Sequence, residues 1–189
     1  MDVAEDTAAI LDDLGAGTFV TLGWSGGGPH ALACAAALPG RCLAAGSIAG
    51  VAPYTADGLD WLGGLVIEAD RAVLTGEFAD HVAACLRTAL SSGIAGWRDD
   101  DLAFVKDWGF SLGWESPAPA PADPAPVAVW QGDQDRMVPF AHGQWLAAAV
   151  RGARVHLMPG DGHLSLTVRA FDRILDDLLD LLDLAGPGA

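Results

Sequence analysis

Basic residues are scarce in this chain. Ten Lys plus Arg stand against 25 Asp plus Glu, for a formal net charge of −15, and Lys106 is the one lysine. No basic cluster exists to neutralise phosphates, which excludes a nucleic-acid partner. The same charge disfavours an anionic membrane surface. Asparagine is absent, against 24 glycines and an excess of alanine, a codon bias of GC-rich genomes that carries no functional information. Cys34, Cys42 and Cys85 are odd in number and lack metal-site spacing, so they are expected to be small buried hydrophobes in a reducing compartment. The N-terminus Met1-Asp2-Val3-Ala4-Glu5-Asp6 lacks the basic and apolar regions of a signal peptide. The most apolar stretch, residues 31–54, is broken by Pro39-Gly40-Arg41, whereas a membrane span needs about 20 continuous apolar residues. A soluble cytoplasmic protein is expected.

What is present suits one globular domain. The 189 residues are 51% hydrophobic and 19% charged, too apolar for a disordered polyelectrolyte. Residues 2–14 place Val3, Thr7, Ile10, Leu11 and Leu14 at helical spacing before Gly15-Ala16-Gly17. Thr18-Phe19-Val20-Thr21-Leu22 reads as a buried strand, followed by a glycine cluster and an alanine-rich helix over residues 29–38. Residues 43–51 read as a second strand, completing a βαβ unit of the kind that builds parallel sheets. Between residues 52 and 115 the pattern turns helical, with candidate helices over 59–74, 77–90 and 99–108. Trp61, Trp97, Trp108 and Trp114 fall there, and they are expected to pack these helices onto the core rather than line a pocket. Residues 116–126 hold five prolines in eleven positions and read as an extended linker. Strands at 127–131 and 154–158 and helices at 140–150 and 166–184 follow. The last helix sets Phe171, Ile174, Leu175, Leu178 and Leu182 on one face, to cover the sheet.

The sharpest chemical feature is Gly23-Trp24-Ser25-Gly26-Gly27, a G-x-S-x-G run between a predicted strand and a predicted helix. A sharp turn there lifts a serine above the sheet edge in a strained conformation, and Gly23 and Gly27 remove Cβ atoms expected to clash. The turn also puts Ser25 at a helix N-terminus, where N–H groups face a developing oxyanion. Phosphate-loop and dinucleotide fingerprints do not fit the run. A serine nucleophile needs a base and an orienting acid. His30, His81, His142 and His156 read as packed or surface residues, His30 lying on the wrong side of the serine. His163 differs, because Pro159-Gly160-Asp161-Gly162-His163 forms a loop beyond a strand's carboxyl end, where active-site groups collect in parallel sheets. Gly132-Asp133-Gln134-Asp135-Arg136-Met137-Val138-Pro139 offers two carboxylates after another strand. Physical chemistry alone does not separate Asp133 from Asp135, and Asp133 also suits a turn.

Together, the elbow, Gly132 to Pro139 and Gly162-His163 resemble the α/β-hydrolase superfamily, most of all its proline-iminopeptidase-like and esterase-like branch. The resemblance covers nearly the whole chain as a single domain. It implies a partial α/β-hydrolase fold with a mostly parallel sheet of about four strands flanked by helices. A helical cap is implied at about residues 55–115, with Trp108-Gly109-Phe110 near the cap's return to the core. The family pattern G-x-x-D-x-x-V-P maps the acid onto Asp135. It implies Ser25 as nucleophile, His163 as base and Gly26 as oxyanion donor, with no metal or organic cofactor, acting on a small-molecule ester or amide. Cofactor-free haloperoxidases keep the same triad and form one alternative. The chain also departs from the family by lacking the strands that precede the nucleophile strand. A truncated, catalytically impaired fragment is therefore the second alternative. On that reading residues 18–22 are an exposed sheet edge prone to self-association.

Overall fold

A computed structural model describes residues 2–59, 68–110 and 125–184. Four parallel strands form one sheet in sequential order: β1 (Phe19–Trp24), β2 (Cys42–Ile48), β3 (Val127–Gly132) and β4 (Arg154–Met158). The helices are α1 (Asp2–Asp13), α2 (Gly27–Ala37), α3 (Glu68–Val73), α4 (Gly76–Ala89), α5 (Ala95–Phe104), α6 (Phe140–Ala149) and α7 (His163–Leu184).

The period-2 alternation of strand side chains sorts the core into two layers. Val127 and Val129 of β3 pack with Leu32 and Ala35 of α2, Leu146 of α6 and Ala4 of α1. Their neighbours Ala128 and Trp130 point the other way, onto Leu166, Ala170, Ile174, Leu178 and Leu181 of α7. Because helices cover both faces, β3 is buried at every position. Small side chains let α2 lie close to the sheet; Ala31, Ala33, Cys34 and Ala35 are all buried. Burial and the neighbouring Cys34 push the Cys42 thiol up to about 12.

Several expectations need correction. Among the described side chains of α1 Ala4 is the buried one, while Ile10, and Leu14 just beyond the helix, are exposed. Helix α2 begins at Gly27, directly after the turn, and α5 begins four residues before the expected start. Neither α4 nor α5 contains a buried residue, yet α4 lies within one residue of its expected bounds. Cys85 is exposed, unlike Cys34 and Cys42. Helix α7 begins at His163, which places that histidine on a helix rather than in a loop. Its buried stripe also differs, since Phe171 is 47% exposed and Leu175 is exposed, while Leu166 and Ala170 are buried. Trp61, Trp114 and most of the expected linker, residues 116–124, lie outside the described residues. Among the described residues, no helix is long and apolar enough to cross a membrane.

The two faces of α7 make a direct comparison. Ile174 is 1% exposed inside the α7 layer. Ile174→Ala is expected to cost about 2–5 kcal/mol in urea unfolding. Phe171→Ala is expected to cost under about 1 kcal/mol, because its ring is half in solvent.

Candidate active site

Strand β1 stops at Trp24, and Ser25 takes φ 56°, a left-handed backbone rarely adopted by a residue with a side chain. Holding it costs on the order of 1–3 kcal/mol, which the surroundings must supply. Two hydrogen bonds do so. The Ser25 N–H donates to Ile48 O at the end of β2 (2.9 Å), and the Gly28 N–H donates to Ser25 O (2.9 Å). The turn is so tight that a Cβ on Gly23 would run into the Gly27 carbonyl, so only glycine fits there. Gly27 corrects the symmetrical expectation, because a Cβ there meets nothing within 4 Å. Gly26 stands at the N-cap of α2, with the Phe104 ring against it.

Asp135 follows β3 in a turn and is buried. Its Oδ1 accepts the N–H groups of Met137 (2.9 Å) and Val138 (2.8 Å), and its Oδ2 accepts Gln131 Nε2 (3.0 Å). The remaining partner is His163 Nδ1, 2.9 Å from Oδ2. The imidazole is also buried and lies against the Trp24 ring, centroids 4.9 Å apart. Trp24 Nε1 donates to the His163 carbonyl (3.3 Å). The structure thus brings His163 and Asp135 together beside the residue that precedes Ser25. Among the described residues no hydrogen bond joins Ser25 to His163. Asp133 faces elsewhere; its Oδ1 accepts the Gly160 N–H (2.8 Å) in a turn.

Ser25 opens onto a cavity of about 530 Å³ lined by Gly26, His30, Trp97, Asp101 and Phe104 among others. His30, set aside on sequence grounds, therefore shares the serine's cavity. Of the tryptophans, Trp97 lines that cavity, whereas Trp108 stacks on Phe110 against the core. His142 is buried and accepts the Ala52 N–H at Nδ1 (2.9 Å), His81 sits beside Cys85, and His156 bonds Asp177. Sequence reasoning missed Gln131, whose amide bridges Asp135 and the Val138 carbonyl. It also missed Asp70, a buried carboxylate on α3 that bonds the start of α7. The signal for Gln131 was a polar residue in an otherwise apolar strand. Asp70 left none.

The model of the alpha/beta hydrolase family matches residues 1–177. The chain belongs to that family. Among solved structures it resembles a variant of the meta-cleavage product hydrolase CumD, with TM-score 0.68 and 17% identity, covering 95% of this chain and 70% of that one. Bromoperoxidase from Bacillus anthracis gives TM-score 0.68 and 19% identity over 95% of this chain and 72% of that one. Esterase RhEst1 from Rhodococcus sp. ECU1013 gives 0.57 and 20% identity over 97% and 72%. No curated protein matches the chain. Family membership makes this hydrolase's elbow the first place to test. Gly23→Ala is expected to cost at least about 2 kcal/mol in urea unfolding, and Gly27→Ala under about 0.5 kcal/mol.

Proposed function

We propose that this hydrolase cleaves an ester or amide through an acyl-enzyme on Ser25. The observation that carries the reading is the buried Asp135–His163 hydrogen bond next to a serine held at positive φ. His163 Nδ1–H donating to Asp135 leaves Nε2 as the free base in the neutral tautomer. In the reaction Ser25 Oγ attacks the substrate carbonyl carbon while Nε2 takes the hydroxyl proton. The tetrahedral oxyanion forms beside the N-terminus of α2, where the Gly26 N–H donates to it. Collapse expels the alcohol or amine, which receives the proton from Nε2. Water then attacks the acyl-enzyme with the same base, and Ser25 is regenerated. Asp135 holds the ring throughout, its other lone pairs met by two backbone N–H groups and Gln131. No metal or organic cofactor takes part in this scheme. The inserted helices α3 to α5 act as the cap, and α4 and α5 supply Trp97, Phe104 and other walls of the substrate cavity. The free thiols Cys34, Cys42 and Cys85 suit the cytoplasm.

A fluorophosphonate probe tests the nucleophile. Ser25 is expected to be the one labelled serine, with labelling lost in Ser25→Ala and His163→Ala. Equal labelling of Ser25→Ala overturns the reading. The acid has its own test on a panel of p-nitrophenyl esters and aminoacyl-anilides. Asp135→Asn is expected to lower kcat on the order of 10³- to 10⁴-fold by misorienting the imidazole. Asp133→Asn, a turn contact, is expected to cost far less, and the opposite ranking moves the acid to Asp133.

We also propose that the chain self-associates through β1. This strand is the sheet's edge beside β2, with Val20 39% and Trp24 43% exposed. Its outer N–H and C=O groups, which no other described strand pairs, form a template that a second copy's β1 complements. Light scattering is expected to show dimers or larger species, reduced in Val20→Lys. A monodisperse monomer at the same concentration contradicts this.

A further inference from the structure

The geometry points to Asp70 as a positioning residue for His163, an inference that rests on the hydrolase reading above. Helix α7 opens on His163, and its N-cap is Gly162, which has no side chain with which to satisfy the first N–H groups. A carboxylate from a distant segment supplies what Gly162 lacks. Asp70 Oδ2 accepts the His163 N–H (2.9 Å), and Oδ1 accepts the N–H groups of Leu164 and Ser165 (both 2.9 Å). The Ser165 hydroxyl donates to the same Oδ1 (3.0 Å) and in turn accepts the Gly162 N–H (2.7 Å). The capping group is thus delivered across 93 residues of sequence.

The fit is mutual. A Cβ on Gly162 would lie 2.6 Å from both Asp70 carboxylate oxygens, so Gly162 is empty where Asp70 sits. Asp70 is 1% exposed, and a carboxylate that deeply buried persists only when donors surround it. Three aligned backbone N–H groups and the positive end of a 22-residue helix provide that environment. Asp70 belongs to α3, the first described helix of the insertion that also builds the cavity wall. The insertion therefore fixes the backbone of the base as well as enclosing substrate. On one side of His163, Asp135 orients the ring; on the other, Asp70 anchors the main chain.

Asp70 does not line the cavity of Ser25, so its loss is expected to act on turnover and leave binding alone. Asp70→Ala should lower kcat and the rate of Ser25 phosphonylation by about 10- to 100-fold, as displacement of a catalytic group does. KM should stay within about threefold. Asp70→Asn, which keeps one acceptor oxygen, should recover part of the loss. Ile174→Ala controls for stability: it weakens α7 from the core side and should lower the melting temperature while kcat is retained. A double-mutant cycle isolates the contact. Gly162→Ala should damage the wild-type chain far more than it damages Asp70→Ala, where the new methyl group finds space. Amide hydrogen exchange at residues 163–165 reads the anchor without any turnover, and protection there should drop in Asp70→Ala. Unchanged kcat and labelling in folded Asp70→Ala, or additive effects in the cycle, overturn the inference. Absence of Ser25 labelling in the wild type overturns the hydrolase reading instead. Exchange then decides the anchor alone: lost protection supports it, and unchanged protection overturns it.

Discussion

The arrangement depends on burying two carboxylates without a cation for each. A carboxylate taken out of water costs several kcal/mol unless its lone pairs are met. Asp135 meets that cost with two turn N–H groups, the Gln131 amide and the His163 ring. Asp70 meets it with the first N–H groups of α7 and the Ser165 hydroxyl. Because each carboxylate takes at least two backbone donors of fixed direction, it also dictates where a chain segment lies. His163 is held between the two. Its ring position follows from the turn after β3, and its main-chain position follows from the insertion after β2.

How much of this was legible in the sequence depends on the range of each interaction. The four strands were readable because short apolar runs between turn residues are a local property. The elbow was readable because its glycine requirement lies within five residues. The strained Ser25 backbone followed from the same local pattern. The start of α7 was not, because Gly162 is a poor N-cap on its own and the residue that completes it is remote in sequence. Starting the helix at residue 166 hid its first turn. The expected apolar face mixes the buried Ile174 and Leu178 with the exposed Phe171 and Leu175, because leucine occupies both sides of the helix. Helix α4 was legible to within one residue at each end, whereas α5 was visible as a helix but four residues out of register, and it buries no residue that would fix its period.

The same physical rule explains the far side of α7. Asp177 is buried under β3 and β4, where Trp130 Nε1 donates to its Oδ2 (3.1 Å) and His156 Nε2 lies 2.9 Å from the same atom. Arg154 pairs with Oδ1, and the His156 ring stacks on Trp130 with centroids 3.8 Å apart. His156 is thus neither a surface residue nor part of the serine site; it belongs to a polar knot that ties the helix to the last two strands. Arg173 lies over the Trp130 ring at 5.5 Å, one turn before Asp177 on the same helix.

Helix α7 is therefore fixed by acids at two points of different origin. Asp177 is its own side chain reaching into the sheet, and Asp70 is a foreign side chain reaching into its first turn. Apolar packing through Leu166, Ala170 and Ile174 fills the space between and supplies most of the attraction. Apolar contact is non-directional, though, and by itself tolerates a small slide or rotation along the sheet. Hydrogen bonds at two separated points remove that freedom, because a shift that preserves one breaks the other. In the proposed mechanism the imidazole meets Asp135 on one nitrogen and presents the other to Ser25, which tolerates little such movement. The acids on and around α7 thus convert a well-packed helix into a precise mount for its first residue.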